Sequence, residues 1–321
     1  MDDGEPTRVS PRRLVWNDAE RRLRAPFRLV ATLVVVVFIS LVIGVGITIS
    51  FSDVVETSVL ARVFVSVVLT GATGIGGYVA ARYVDRRTIS DLGFGIDRDW
   101  LTDLVFGLVL GGALMTGIFL VGLATEWLVV DEVGFGIDRL AGAAALFVFF
   151  ISVGLAEELL LRGVVLTDIA EGMRWRFDVR TAILVALVAS SALFGLAHLQ
   201  NPNSSVASTL SITFAGVMLG FGYVLTGNLA IPVGIHISWN FVQGGVYGFA
   251  VSGLDFGTSL VETTEQGPDI VTGGAFGPEA GLFGVGAMVA GMAVIAWYVQ
   301  FRYGTLRLDP SVTIPELRWR K

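Results

Sequence analysis

Glu157, Glu158, Arg162, His198, His236 and Asn240 are the residues of this chain whose types suit acid–base chemistry, and all six lie within long apolar stretches. An ionisable side chain at the centre of a bilayer costs about 3 kcal/mol on insertion scales, so it rarely stands there as filler. The chain has 2 histidines, and both belong to this group. Residues four apart share one face of a helix, so Glu158 and Arg162 can pair along one side. Glu157 then projects elsewhere without a local cation, which suits a carboxylate that takes and returns a proton. Phe194-Gly-Leu-Ala-His198 places a ring and an imidazole one turn apart, and His236-Ile-Ser-Trp-Asn240 puts an imidazole and a carboxamide on one face. The amide could donate to a developing oxyanion, and the imidazole could donate to it or ligate a metal.

Each motif alone has a plainer reading: a buried salt bridge, a histidine bonded to a neighbouring helix, or a polar interhelical clamp. Together they are more specific, because three helices supply an acid, an orienting arginine, both imidazoles and an oxyanion donor. With 0 cysteines there is no thiol nucleophile, thiolate zinc site or disulfide. Ser190, Ser191 and Ser238 lie near the motifs, but no Gly-x-Ser-x-Gly elbow accompanies them. His-Glu-x-x-His is absent too, so any zinc set would have to draw Glu157, His198 and His236 from three separate helices.

The elements that must hold these residues are membrane helices. The 321 residues are 54% hydrophobic and 16% charged, with mean hydropathy +0.73; a soluble domain carries roughly 25% charged residues. The composition predicts an all-α, polytopic bundle of about eight transmembrane helices, near 27–50, 58–81, 101–124, 140–166, 181–200, 206–226, 229–250 and 281–300. The organisation expected is an Arg-rich, solvated or surface-lying arm (1–26), a first group of helices (27–139) and a core (140–250). An outer loop (251–280) and a last helix with its tail (281–321) follow. Arginines gather in the first 28 residues, at 82–98, at 174–180 and from 302 to the end, whereas the alternate segments keep only Arg62 and Arg139 and many acids. By the positive-inside rule both termini are cytoplasmic. The formal charge of -6 offers nucleic acid no footing. Gly107-xxx-Gly111 and Gly216-xxx-Gly220 are expected to let helices approach closely. Counted at ~1.5 Å per residue, Glu157 and Asn240 fall near mid-membrane but His198 nearer the outer face. Either tilt absorbs this, or the fifth helix stops early and Asn201-Pro202-Asn203 dips inward along a wet cavity.

Glu-Glu-x-x-x-Arg, then Phe-x-x-x-His, then His-x-x-x-Asn, each in an apolar helix, resembles the CAAX protease and bacteriocin-processing (CPBP/Abi) family of intramembrane proteases. That family includes the type II CAAX prenyl endopeptidases, and the resemblance covers about residues 140 to 250. It implies a multi-pass cell-membrane endopeptidase in which Glu157 and His198 activate water and His236 and Asn240 line the oxyanion site. Glu158, Arg162 and Phe194 take supporting places. Members are often labelled metalloproteases, so a divalent metal such as zinc on Glu157, His198 and His236 stays open beside a metal-free water. The implied partners are membrane lipid and a peptide or protein substrate, prenylated or membrane-embedded, entering by analogy from the cytoplasm. Competing readings are an ion or proton transporter on the same polar cluster, for which no internal repeat is visible, and a non-catalytic scaffold.

Overall fold

A long apolar segment in lipid can satisfy its backbone only within itself, so it folds as a helix. The computed structural model describes residues 11–55 and 58–319. Its elements begin with α1 (Pro11–Val15), the ribbon β1 (Trp16–Asn17) and β2 (Arg22–Leu23), α2 (Ala25–Val55), α3 (Val59–Tyr83) and α4 (Arg98–Ala124). Next come β3 (Leu128–Val133) and α5 (Ile137–Glu158), which runs through a π-helical segment (Leu159–Leu166) into α6 (Thr167–Met173). Then follow α7 (Val179–Ala197), α8 (Val206–Thr226) and α9 (Ala230–Asn240), the last continuing as a second π-helical segment (Phe241–Val246). Last are β4 (Val261–Glu265), α10 (Asp269–Thr272) and α11 (Leu282–Tyr303).

The protein is an all-α polytopic membrane bundle, with 7 helical spans long and apolar enough to cross a bilayer among the described residues. The stretch expected at 229–250 is not one of them. Its helical part, 230–246, is short and breaks from α to π geometry after Asn240. It is also the innermost helix: every residue from Ala230 to Trp239 is buried. Small residues allow this. A Cβ added to Gly107 of α4 would lie 2.5 Å from the Ile231 carbonyl oxygen, and one on Gly234 would lie 2.5 Å from that of Leu104. α4 and α9 therefore touch backbone to backbone. Pro232 stands in the first turn of α9, where a missing N–H breaks no helical bond. At the periphery, Val30, Leu33, Val34, Phe38 and Leu41 of α2 are exposed, an apolar face suited to acyl chains.

The connections gather at two ends. At one, Arg318 N donates to Arg86 O (2.9 Å), Leu229 N to Gly93 O (2.9 Å) and Asp309 N to Val224 O (2.8 Å). Trp319 Nε1 reaches Glu20 O at 3.1 Å, so the described parts of both termini meet there. At the opposite end β3 pairs antiparallel with β4, Leu128 against Glu265 and Val133 against Val261, a ribbon the composition of the long loop did not announce.

Along the described part of the arm Arg12, Arg13, Arg21 and Arg24 are exposed, and one arginine there, Arg22, turns into the bundle beside others from later elements. Arg22 and Arg28 are buried, as is Arg87. Arg28 pairs with Asp85, Asp168 and Glu171, each at 2.7 Å, and Arg22 reaches Glu171 at 2.7 Å. Asp85 after α3 and the two acids of α6 offset the cost of burying these arginines. Burial, and then the neighbouring Asp168 carboxylate, push Asp85 up to about 8. Of the charges used to orient the bundle, Arg8, Glu56, Arg320 and Lys321 lie outside the described residues.

Candidate active site

Glu157 and Glu158 close α5, and the helix widens to π geometry immediately after them. Neighbouring residues diverge by about 100°, and the two carboxylates accordingly have different surroundings. Glu158 is fully buried, and its Oε1 accepts from Arg162 Nη1 at 2.8 Å and from His236 Nδ1 at 2.8 Å. Arg162 also donates to Gly216 O (3.0 Å), and its guanidinium lies 4.7 Å from the Phe194 ring centroid. Glu157 keeps 30% of its side chain exposed and stands 3.8 Å, Oε2 to Nε2, from His236. Its Oε2 has no hydrogen-bond partner.

The two imidazoles are held in defined orientations. Nδ1 of His236 faces a carboxylate, which can only accept, so that nitrogen carries a proton and Nε2 is the atom presented towards Glu157. Nδ1 of His198 lies 2.8 Å from the Phe194 carbonyl oxygen and is likewise the donor. In a neutral ring Nε2 of His198 then keeps its lone pair. The Phe194 ring packs between them, 4.9 Å from His198 and 5.9 Å from His236 by centroid.

Glu157, Phe194, His198, His236 and Asn240 all line one cavity of about 380 Å³, whereas Glu158 and Arg162 sit behind its wall. The mismatch in depth for His198 has a local cause. α7 stops at Ala197, His198 is its C-cap, and Asn201 of the following turn also lines the cavity.

Sequence reasoning missed the side chains that cap this space. Glu279, from the loop before α11, folds back into the cavity wall. Its Oε1 accepts from Ser252 N at 2.5 Å and its Oε2 from Gln243 Nε2, while Gln243 Oε1 accepts from Trp239 Nε1 at 2.9 Å. Burial pushes Glu279 up to about 7, against the lowering pull of these donors. A lone acid in Gly277-Pro278-Glu279-Ala-Gly281, at the threshold of an apolar helix, was the one signal available.

A catalytic zinc takes three protein ligands. Among the described residues no three of His, Asp or Glu are grouped closely enough to hold a metal ion. As arranged, Glu157, His198 and His236 do not fit a resident metal.

Residues 139–242, about a third of the chain, match the family described as type II CAAX prenyl endopeptidase Rce1-like. No curated protein and no solved structure matches significantly.

Proposed function

The chain belongs to the CAAX protease and bacteriocin-processing family, and on that premise we propose that Glu157 is the general base of an intramembrane endopeptidase. Its free carboxylate takes a proton from water as the water oxygen attacks the scissile carbonyl. His198, through the lone pair on Nε2, accepts the second hydrogen and fixes the direction of attack. The tetrahedral oxyanion is met by the Asn240 carboxamide and, when the ring is cationic, by Nε2–H of His236. Glu158 supports that imidazolium through Nδ1, the role a buried carboxylate plays behind a catalytic histidine. Collapse breaks the C–N bond, and Glu157 returns its proton to the leaving amine, giving a carboxylic acid and an amine. No step requires a metal.

The observation that carries this reading is the single cavity lined by Glu157, His198, His236 and Asn240 from α5, the end of α7 and α9. The test is cleavage of a quenched fluorescent membrane peptide by protein reconstituted in vesicles. Wild type is expected to cut, and Glu157→Gln to lose on the order of 100-fold or more in rate. Undiminished cleavage by that variant, or ion flux through the vesicle without cleavage, would overturn the assignment.

A further inference from the structure

The reactive cavity and a second, adjoining one both lie at the end of the bundle opposite the termini. Asn201, Val251, Ser252, Leu254, Phe256 and Glu279 roof the first. Its floor is closed by the fully buried Glu158–Arg162 pair, with Arg162 tied to Gly216 O. None of the residues lining it belongs to the connections at the terminal end. The second cavity, about 470 Å³, opens between the start of α3 (Arg62, Val63, Ser66) and the loop 254–257. The two share Phe149, Leu254 and Phe256, and the rings of Phe149 and Phe256 are 5.6 Å apart by centroid. Phe149, Leu254 and Phe256 thus form a wall common to this vestibule and the reactive cavity.

Charge assigns the side. Among the described residues Arg12, Arg24, Arg86, Arg98, Arg174 and Arg307 typify the terminal end, where Trp319 meets Glu20, whereas the opposite end holds only Arg62 and Arg139. The opposite end carries Asp131, Glu132, Asp138, Asp255, Glu262 and Asp269. Connections rich in arginine stay in the cytoplasm.

We infer that the reactive cavity opens on the extracytoplasmic face, through the vestibule between Arg62 and the loop 254–257, and takes membrane-tethered peptides presented there. The inference rests on the protease reading above and reverses the cytoplasmic entry that the resemblance implied. At about 380 Å³ the cavity admits a short extended segment and no folded domain. Phe149, Leu254 and Phe256 favour an apolar residue beside the scissile bond.

The chain has 0 cysteines, so single cysteines introduced into it report alone. In intact cells, a membrane-impermeant maleimide is expected to label Asp255→Cys and Leu254→Cys, and to label Arg174→Cys only after lysis. Two single-pass reporters carrying one apolar peptide on opposite sides of the membrane then read access. Only the outward-facing one is expected to be cut, and cutting is expected to fall at least tenfold once Asp255→Cys carries a bulky maleimide. Labelling of Arg174→Cys in intact cells with Asp255→Cys protected until lysis would overturn the inference, as would cleavage of the inward reporter alone. Labelling needs no activity, so it decides sidedness independently of Glu157→Gln, whose continued cleavage would sink only the protease reading.

Discussion

Glu158 and His236, 78 residues apart in sequence, meet at 2.8 Å, Oε1 to Nδ1, and the same oxygen accepts from Arg162 Nη1. One carboxylate therefore both neutralises a buried guanidinium and aims an imidazole into the cavity.

Replacing this carboxylate and replacing its guanidinium partner test different parts of that arrangement. Glu158→Gln keeps an acceptor for Nδ1–H but removes the charge that supports the imidazolium. The expected result is a loss in kcat on the order of 100-fold or more with KM little changed, as for carboxylates that orient catalytic histidines. Arg162→Ala leaves Glu158 buried and uncompensated, a cost of about 3–5 kcal/mol. It is expected to show first as a lowered Tm in detergent. Glu158→Gln likewise leaves the Arg162 guanidinium buried without its counter-ion, so both variants are expected to lose stability; undiminished kcat in the folded fraction of Glu158→Gln would deny Glu158 its support of His236.

Asn240 lines the cavity at the end of α9. Removing an oxyanion donor costs about 3–4 kcal/mol of transition-state stabilisation. Asn240→Ala is thus expected to retain the wild-type Tm while turnover of the reporter peptide collapses. Near-normal turnover would deny the amide its place.

Much of this was readable from residue order. Apolar runs announced the helices, because lipid leaves a backbone no other solution. The Glu158–Arg162 pair followed from the spacing of four. The partnership of Glu158 with His236 did not, since no local rule links residues on different helices. Nor did the burial of Arg22, Arg28 and Arg87, which depends on Asp85 after α3 and on Asp168 and Glu171 of α6 meeting them from distant parts of the chain. The 229–250 stretch shows the limit of hydropathy alone. An apolar helix wrapped by protein and one wrapped by lipid have the same composition.

Metal dependence can be decided directly. The described His, Asp and Glu residues do not bring three ligands together. Treatment with 1,10-phenanthroline or EDTA is expected to leave peptide cleavage unchanged, and elemental analysis of active protein to find no stoichiometric zinc. Inhibition reversed by added zinc would show that the side chains rearrange to bind it.

The roof should respond to pH. The folded-state value of Glu279, about 7, stands above the ordinary 4.5 because burial disfavours its charge. Its contribution is fully present below about 4.5 and is lost as pH rises through 7. Hydrogen exchange at the Ser252 amide, which donates to Glu279, is expected to show greater protection against opening at pH 5 than at pH 8, after correction for the intrinsic rate. Glu279→Gln should flatten that difference; an unchanged pH dependence in this variant would remove Glu279 as its source.

The widened turn at Leu159–Leu166 sets the phase of one continuous rod that is clamped at two places. Upstream, Glu157 must look into the cavity; downstream, Asp168 must meet Arg28. Losing one residue from the wide turn would swing the two clamps apart by about 100°. Substitutions on this turn can be absorbed singly, whereas a one-residue deletion would force the rod to give up either its cavity-facing acid or its anchor.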